Sequence, residues 1–172
     1  MGSILNVDQI GHSTSGTTAL TVDSSGRILT PARPAFMVYR TNASSAGVND
    51  HITFNNTEFD IGSNWNTNYF LAPVAGVYYF GWNCFATNSD GALRSASSAV
   101  VVNIEKSTDS GSNWTQIFEG VSNTSSSYRE QFCLNGLIKL AVNDRVRCFV
   151  TTGWVFMDAL RERNTFSGYL VG

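Results

Sequence analysis

The sequence predicts an all-β fold, a sandwich or jelly roll of about ten short strands. Three observations predict it. β-prone runs recur at short, regular intervals between clusters of Gly, Asn, Asp and Ser. No segment longer than one turn carries helical periodicity. One run, NYFLAPVAGVYYFGWNCFA over Asn68 to Ala86, reads as a strand end, a turn and a long strand apolar on both faces.

That run organises the rest. Pro73 cannot donate to a sheet ladder, so it marks an edge or a turn. Gly76 permits the tight turn after it. Alternation then puts Tyr78, Phe80, Trp82 and Cys84 on one face and Val77, Tyr79 and Phe85 on the other. A strand greasy on both faces belongs inside a sandwich, or between a sandwich and a partner subunit.

Residues 1–34 differ from the remainder of the chain. They alternate short apolar pieces (Ile4, Leu5, Val7 and Ile10; Leu20 and Val22; Ile28 and Leu29) with Gly and Ser turns. The pieces are too short for a core of their own. They predict an extended arm that orders against another surface, with 35–172 as the head.

From Ala35 the strands come in order. Ala35 to Arg40 and His51 to Phe54 are two. Asn55 to Thr67 is Asn-rich, with Phe59, Ile61 and Trp65 dropped in singly. Ser98 to Lys106 points Val100, Val102 and Ile104 to one face. DSGSN over Asp109 to Asn113 is a hairpin turn. Trp114 to Gly120 returns with Trp114, Gln116 and Phe118 on one face. EQFCLNGLIKL, Val146 to Thr152 and Phe166 to Val171 are further strands, and Gly153 to Leu160 reads as a mobile aromatic segment.

Composition narrows the function. The chain of 172 residues suits one domain plus an arm. Charged residues make up only 14%, and the net charge is -2 with no basic run. Nucleic acid therefore has no electrostatic footprint here. No stretch has the roughly 20 apolar residues of a membrane span, and MGSILNVDQI lacks the basic and apolar regions of a secretory signal. Cys84, Cys133 and Cys148 form an odd set without metal spacing. Buried reduced thiols are expected of them, with a Cys133–Cys148 bridge between neighbouring strands as the alternative.

The run YFLAPVAGVYYF resembles the signature of complement component one-q globular heads: an aromatic, a short gap, Pro, then Gly-x-Tyr-x-Phe. ITFNNTEFD (52–60), VVVNIEK (100–106), LAVNDRVR (140–147) and TFSGYLVG (165–172) resemble further family strands, in order. Asn143 stands where the family's motif carries Gly. The resemblance covers about 34–172. It implies a ten-strand, tumour-necrosis-factor-like jelly roll in a tight homotrimer, a binding or display module and not an enzyme. The implied trimer interface is aromatic: Tyr69, Tyr78, Tyr79, Phe80, Trp82, Phe166 and Tyr169.

The first 34 residues depart from animal members, which carry a secretory signal and often a collagen stalk. ILNVDQI, GTTALTVDSSGRI and PARPAF instead resemble the arms of bacteriophage structural proteins. This resemblance implies a virion surface protein made in the host cytoplasm. One reading is a capsid decoration or cement protein whose arm docks on capsid or tail proteins. The alternative is a tail-fibre head that recognises host surface glycan through loops 42–50, 88–96 and 122–128.

Catalytic chemistry finds little support. His12 sits in the arm, and Asp50–His51 reads as a surface pair, since adjacent strand residues face opposite ways. Asp50, Glu58, Asp60 and Asp90 form no distinctive acid pair, so a polysaccharide hydrolase is the weakest reading. No cofactor is called for. Calcium is the one cation that the oxygen-rich loops around Asp50, Asp60 and Asp90 would suit. Trp65 and Trp154, in irregular stretches, are the candidates for an exposed ring beside a ligand, with packing as the equal alternative.

Overall fold

The computed structural model describes residues 7–87, 99–122, 130–157 and 163–172. Ile4, Leu5, Asp90 and nearly all of loops 88–96 and 122–128 lie outside the described residues.

Three short strands, β1 (Gln9–Gly11), β2 (Thr18–Val22) and β3 (Ile28–Leu29), form an antiparallel sheet. Local polar caps close its turns. The His12 Nδ1 accepts the Thr14 and Ser15 N–H groups. The Asp23 carboxylate accepts N–H from Ser25 and Arg27, and the Arg27 guanidinium as well. The expected extended arm is thus a small meander. Its apolar side chains stay at the surface: Ile28 is 67% exposed, Val7, Ile10 and Leu29 are exposed, and Leu20 and Val22 are half-buried.

The head is a two-layer sandwich. One sheet contains β4 (Ala35–Tyr39), β5 (Ser44–Ala46), β7 (Asn56–Ile61), β10 (Gly76–Thr87), β13 (Glu130–Leu140), β15 (Trp154–Met157) and β16 (Thr165–Leu170). Its order is β5-β15-β10-β16-β4-β7, with β13 also paired to β10. The other contains β6 (Asp50–His51), β8 (Trp65–Asn66), β9 (Tyr69–Leu71), β11 (Val100–Ser107), β12 (Thr115–Ser122) and β14 (Arg145–Thr152). Its order is β12-β11-β14-β9-β8, with β6 beside β14. The all-β sandwich expected from the sequence is what forms. The strands beyond ten are mostly pieces of two or three residues.

The core lies between the sheets. Tyr78, Phe80, Trp82 and Cys84 of β10, Phe36 and Val38 of β4 and Phe166 of β16 face Phe70, Val102, Ile104, Val146, Cys148 and Val150. Phe36 stacks on Phe70 at 4.9 Å, and Phe80 on Phe166 at 5.8 Å. Each such aromatic contributes about 1.5–3 kcal/mol through burial. Tyr78, Phe80, Trp82 and Phe166 are therefore not interface residues. The chain's own second sheet covers them, so no partner can reach them.

Three other expectations change. Gly153 to Leu160 contains β15, which pairs β5 and the end of β10. The Asn-rich stretch contains β7, whose Asp60 carboxylate accepts the Asn64 and Trp65 N–H groups and fixes the turn after it. On β12 a bulge opposite Ile104 and Glu105 breaks the alternation. Phe118 then packs on the core while Trp114 lies against Arg147 on the outer side.

The turn before β14 explains a residue change. Asn143 adopts φ 69°, a left-handed conformation that Gly takes freely and Asn tolerates best among the others. Next to it, the buried Asp144 carboxylate accepts the Ala141 N–H at 2.8 Å and pairs with Lys106 at 2.7 Å. The three cysteines are unbridged. Cys133 and Cys148 lie in opposite sheets, so they are not on neighbouring strands. Cys84 and Cys148 are buried, and burial pushes both thiols well up. Cys133 is exposed, against expectation.

Candidate functional site

The second face of β10 looks away from the core, and its register builds the site. Tyr79 lies opposite Leu137 of β13 on one side and Tyr169 of β16 on the other. Tyr169 lies opposite Ala35 of β4, which lies opposite Ile61 of β7. One apolar row, Leu137–Tyr79–Tyr169–Ala35–Ile61, thus crosses five strands. At the usual spacing of neighbouring strands it spans about 19 Å. The row is open: Leu137 is 59% exposed and Tyr169 47%. The two tyrosine rings meet at 5.3 Å.

The next row, two residues along, is Asn135–Gly81–Ser167–Met37–Phe59. Phe59 is again exposed. The third is Cys133–Asn83–Thr165–Tyr39. The face thus grades from apolar to polar along the strands. Contiguous apolar patches of this kind are where proteins bind another chain, a ligand or a membrane surface.

Of the seven residues expected at an interface, the structure brings only Tyr79 and Tyr169 to this face. Tyr69 lies on the other sheet, its ring under the Arg145 guanidinium at 4.5 Å. Alternation puts Phe70 inward, and so Tyr69 outward on that sheet. Sequence reasoning missed Leu137, Phe59, Ile61 and Met37. The signal for Leu137 is present in EQFCLNGLIKL, whose alternation sets Cys133, Asn135 and Leu137 against Phe132, Leu134 and Ile138.

A second open surface lies where β12 and β13 run past each other at the sandwich edge. Among the described residues each pairs on one side only. A hollow of about 450 Å³ between them has a mixed lining, apolar at Ile117, Phe118 and Leu134 and polar at Glu119, Gln131 and Asn135.

The two candidate ligand rings part company. Trp65 stacks on Phe36 at 5.4 Å, with Phe54 and Phe166 edge-on, so it belongs to the core and offers no platform. Trp154 is 38% exposed and rests against Gly47, where a Cβ would stand 2.7 Å from the ring. Asp50 and His51 approach to 3.8 Å on the surface. Among the described residues no group of three His, Cys, Asp or Glu side chains is placed to hold a metal ion. No helix of the described residues is long and apolar enough to cross a membrane.

Residues 35–171 match the family model described as the C1q domain. Solved structures with the same fold include the globular domain of zebrafish complement 1qA (TM-score 0.60, 18% identity), covering 81% of this chain and 98% of that one. The Eiger TNF of S. frugiperda aligns at TM-score 0.66 with 10% identity, over 82% of this chain and 94% of that chain. Murine APRIL aligns at TM-score 0.62 with 7% identity, over 81% and 99%. No curated protein sequence matches the chain.

Proposed function

Because the chain belongs to the C1q domain family, we propose that it is a non-enzymatic, homotrimeric virion surface protein, a capsid decoration or cement protein of a bacteriophage. The apolar row across β13, β10, β16, β4 and β7 carries the homotrimer. An open aromatic face of this kind stabilises an assembly once it is covered. Three-fold closure joins two different patches on neighbouring copies. The sheet face of one protomer meets the β12–β13 edge of the next, where among the described residues each strand leaves one side unpaired and Ile117, Phe118, Val121 and Leu134 stand beside the polar Glu119, Gln131 and Asn135.

The N-terminal meander supports the docking half of the reading. Val7, Ile10, Ile28 and Leu29 are exposed, and among the described residues their three-stranded sheet pairs with no further strand. A particle surface, capsid or tail, covers them, and many copies add their contacts. Ile28→Asp with Leu29→Asp leaves the assembled head intact and abolishes cosedimentation with particles stripped of this protein. Undiminished cosedimentation would refute the docking role.

The second reading, a receptor-binding tail-fibre head that contacts host glycan, rests on the polar hollow beside loop 42–50 and on the exposed Trp154 near it.

A further inference from the structure

Loop 42–50 and the strand ends around it enclose a hollow of about 300 Å³, lined by Arg40, Ser44, Ser45, Ala46, Asp50, His51, Thr53 and Met157. It lies wholly within one protomer. Its size is at the lower end of small-ligand sites. Its walls are mainly hydroxyl and ionisable groups, unlike the apolar sheet face.

Arg40 is the distinctive wall residue. Its Nε donates to the Asn42 carbonyl at 3.0 Å and its Nη1 to the Thr53 carbonyl at 2.7 Å. These two bonds fix the guanidinium plane. They use two of its five N–H donors and leave three, including both on Nη2. Among the described residues no carboxylate pairs with it. A guanidinium anchored in this way and lining the hollow keeps Nη donors for a planar anion, and a carboxylate is matched to them through two parallel hydrogen bonds.

Around it stand groups that take hydroxyls. Asp50 is an acceptor, half-exposed, with His51 beside it at 3.8 Å. Ser44, opposite Met157 and on the same strand face as Ala46, can both donate and accept. Met157 and Ala46 supply a small apolar wall. A carboxylate anchor in one hollow with hydroxyl-binding groups suits a sugar ring that carries an acid.

We propose that this hollow binds an acidic monosaccharide unit of the hexuronate type, with its carboxylate on Arg40 and its hydroxyls on Asp50 and Ser44. The proposal deepens the glycan-binding reading by giving it a site and a ligand class.

The test is a titration of the intact protein, followed by amide NMR, with four probes: sodium glucuronate, its methyl ester, glucose and acetate. Glucuronate shifts the signals of Ser44, Ser45 and His51 with a millimolar dissociation constant, as expected for so few ligand atoms. The ester, glucose and acetate each bind at least about tenfold more weakly, the scale of one charge-assisted pair. Arg40→Lys, which keeps the charge but loses the paired donors, weakens glucuronate by a similar factor, and Asp50→Asn reduces it further. Equal shifts from glucuronate and its ester would overturn the proposal, as would none from glucuronate. The probe comparison on the unaltered protein decides even where the Arg40 variant misfolds. Glucuronate binding without attachment to uronate-bearing cells would overturn the tail-fibre reading alone and leave the site standing.

Discussion

Phe118 of β12 occupies the space that a side chain on Gly136 of β13 would need: a Cβ built on Gly136 would lie 2.3 Å from the Phe118 Cζ. The two residues belong to different sheets, so this contact seals the sandwich at its open edge. Glycine is required there for space, with no demand for unusual backbone angles. Gly136→Ala is therefore expected to cost about 1–3 kcal/mol, the range for overpacking a filled site. Combining it with Phe118→Ala makes room again, so the double variant loses less than the sum of the two singles. Urea unfolding of the four proteins measures this. Additive losses would show that the contact is absent.

The two faces of β10 make opposite predictions. Phe80 is fully enclosed by the second sheet, and Phe80→Ala is expected to cost about 3–5 kcal/mol of folding stability. Leu137 opposite Tyr79 is expected to act on assembly. Leu137→Glu leaves the protomer folded and weakens association about tenfold or more, as a central interface residue does. Thermal unfolding and sedimentation separate the two effects. Unfolding by Leu137→Glu with assembly unchanged would reverse the assignment of the faces.

These faces also mark the limit of what is legible in the sequence. Alternation over Val77 to Phe85 sorts the residues into two sets and labels both as apolar. It does not say which set meets the chain's own second sheet and which is left open. That depends on pairing register with β13 and β16, which join residues far apart in sequence. Hence alternation alone leaves Tyr78, Phe80 and Trp82 open to an interface reading, although they are core. Val100, Val102 and Ile104 are legible, because only one face of their strand is uniformly apolar. Trp65 is not, because single aromatics in an Asn-rich stretch carry no period. Trp114 and Phe118 fall together in the sequence pattern because a bulge leaves no mark in the alternation. The hollow at Arg40 is hidden for a different reason: its residues come from separate strands and the loop between them.

Asn143 offers a backbone test. At φ 69° the cost falls on residues with a branched Cβ. Asn143→Gly is expected to be neutral to within about 0.5 kcal/mol, and Asn143→Val to cost about 1–2 kcal/mol. Chemical denaturation checks both. Equal stability of the Val variant would mean that the turn adopts another conformation.

The hairpin at Asp109 gives a pH dependence. Its carboxylate accepts the Asn113 backbone and side-chain N–H groups and the Ser107 hydroxyl. The Asn113 backbone bond foremost, then the side-chain bonds, hold its pKa at about 2, below the ordinary 3.8. The folded value is the depressed one. The stabilisation is therefore complete above the ordinary value and is lost as pH falls through about 2. A carboxyl titration by NMR is expected to place the Asp109 midpoint there, with the Asn113 amide moving in step. A midpoint at 3.8 would mean that the turn bonds do not form.

In the proposed trimer, a neighbouring copy of the chain covers the row from Leu137 to Ile61. Light scattering on the purified protein as it leaves a sizing column tests this most directly. A single species of three times the 18.7 kDa chain mass is expected, shifted toward the protomer by Leu137→Glu. A stable species of 18.7 kDa at working concentration, with Tyr79 and Tyr169 left open to solvent, would contradict it.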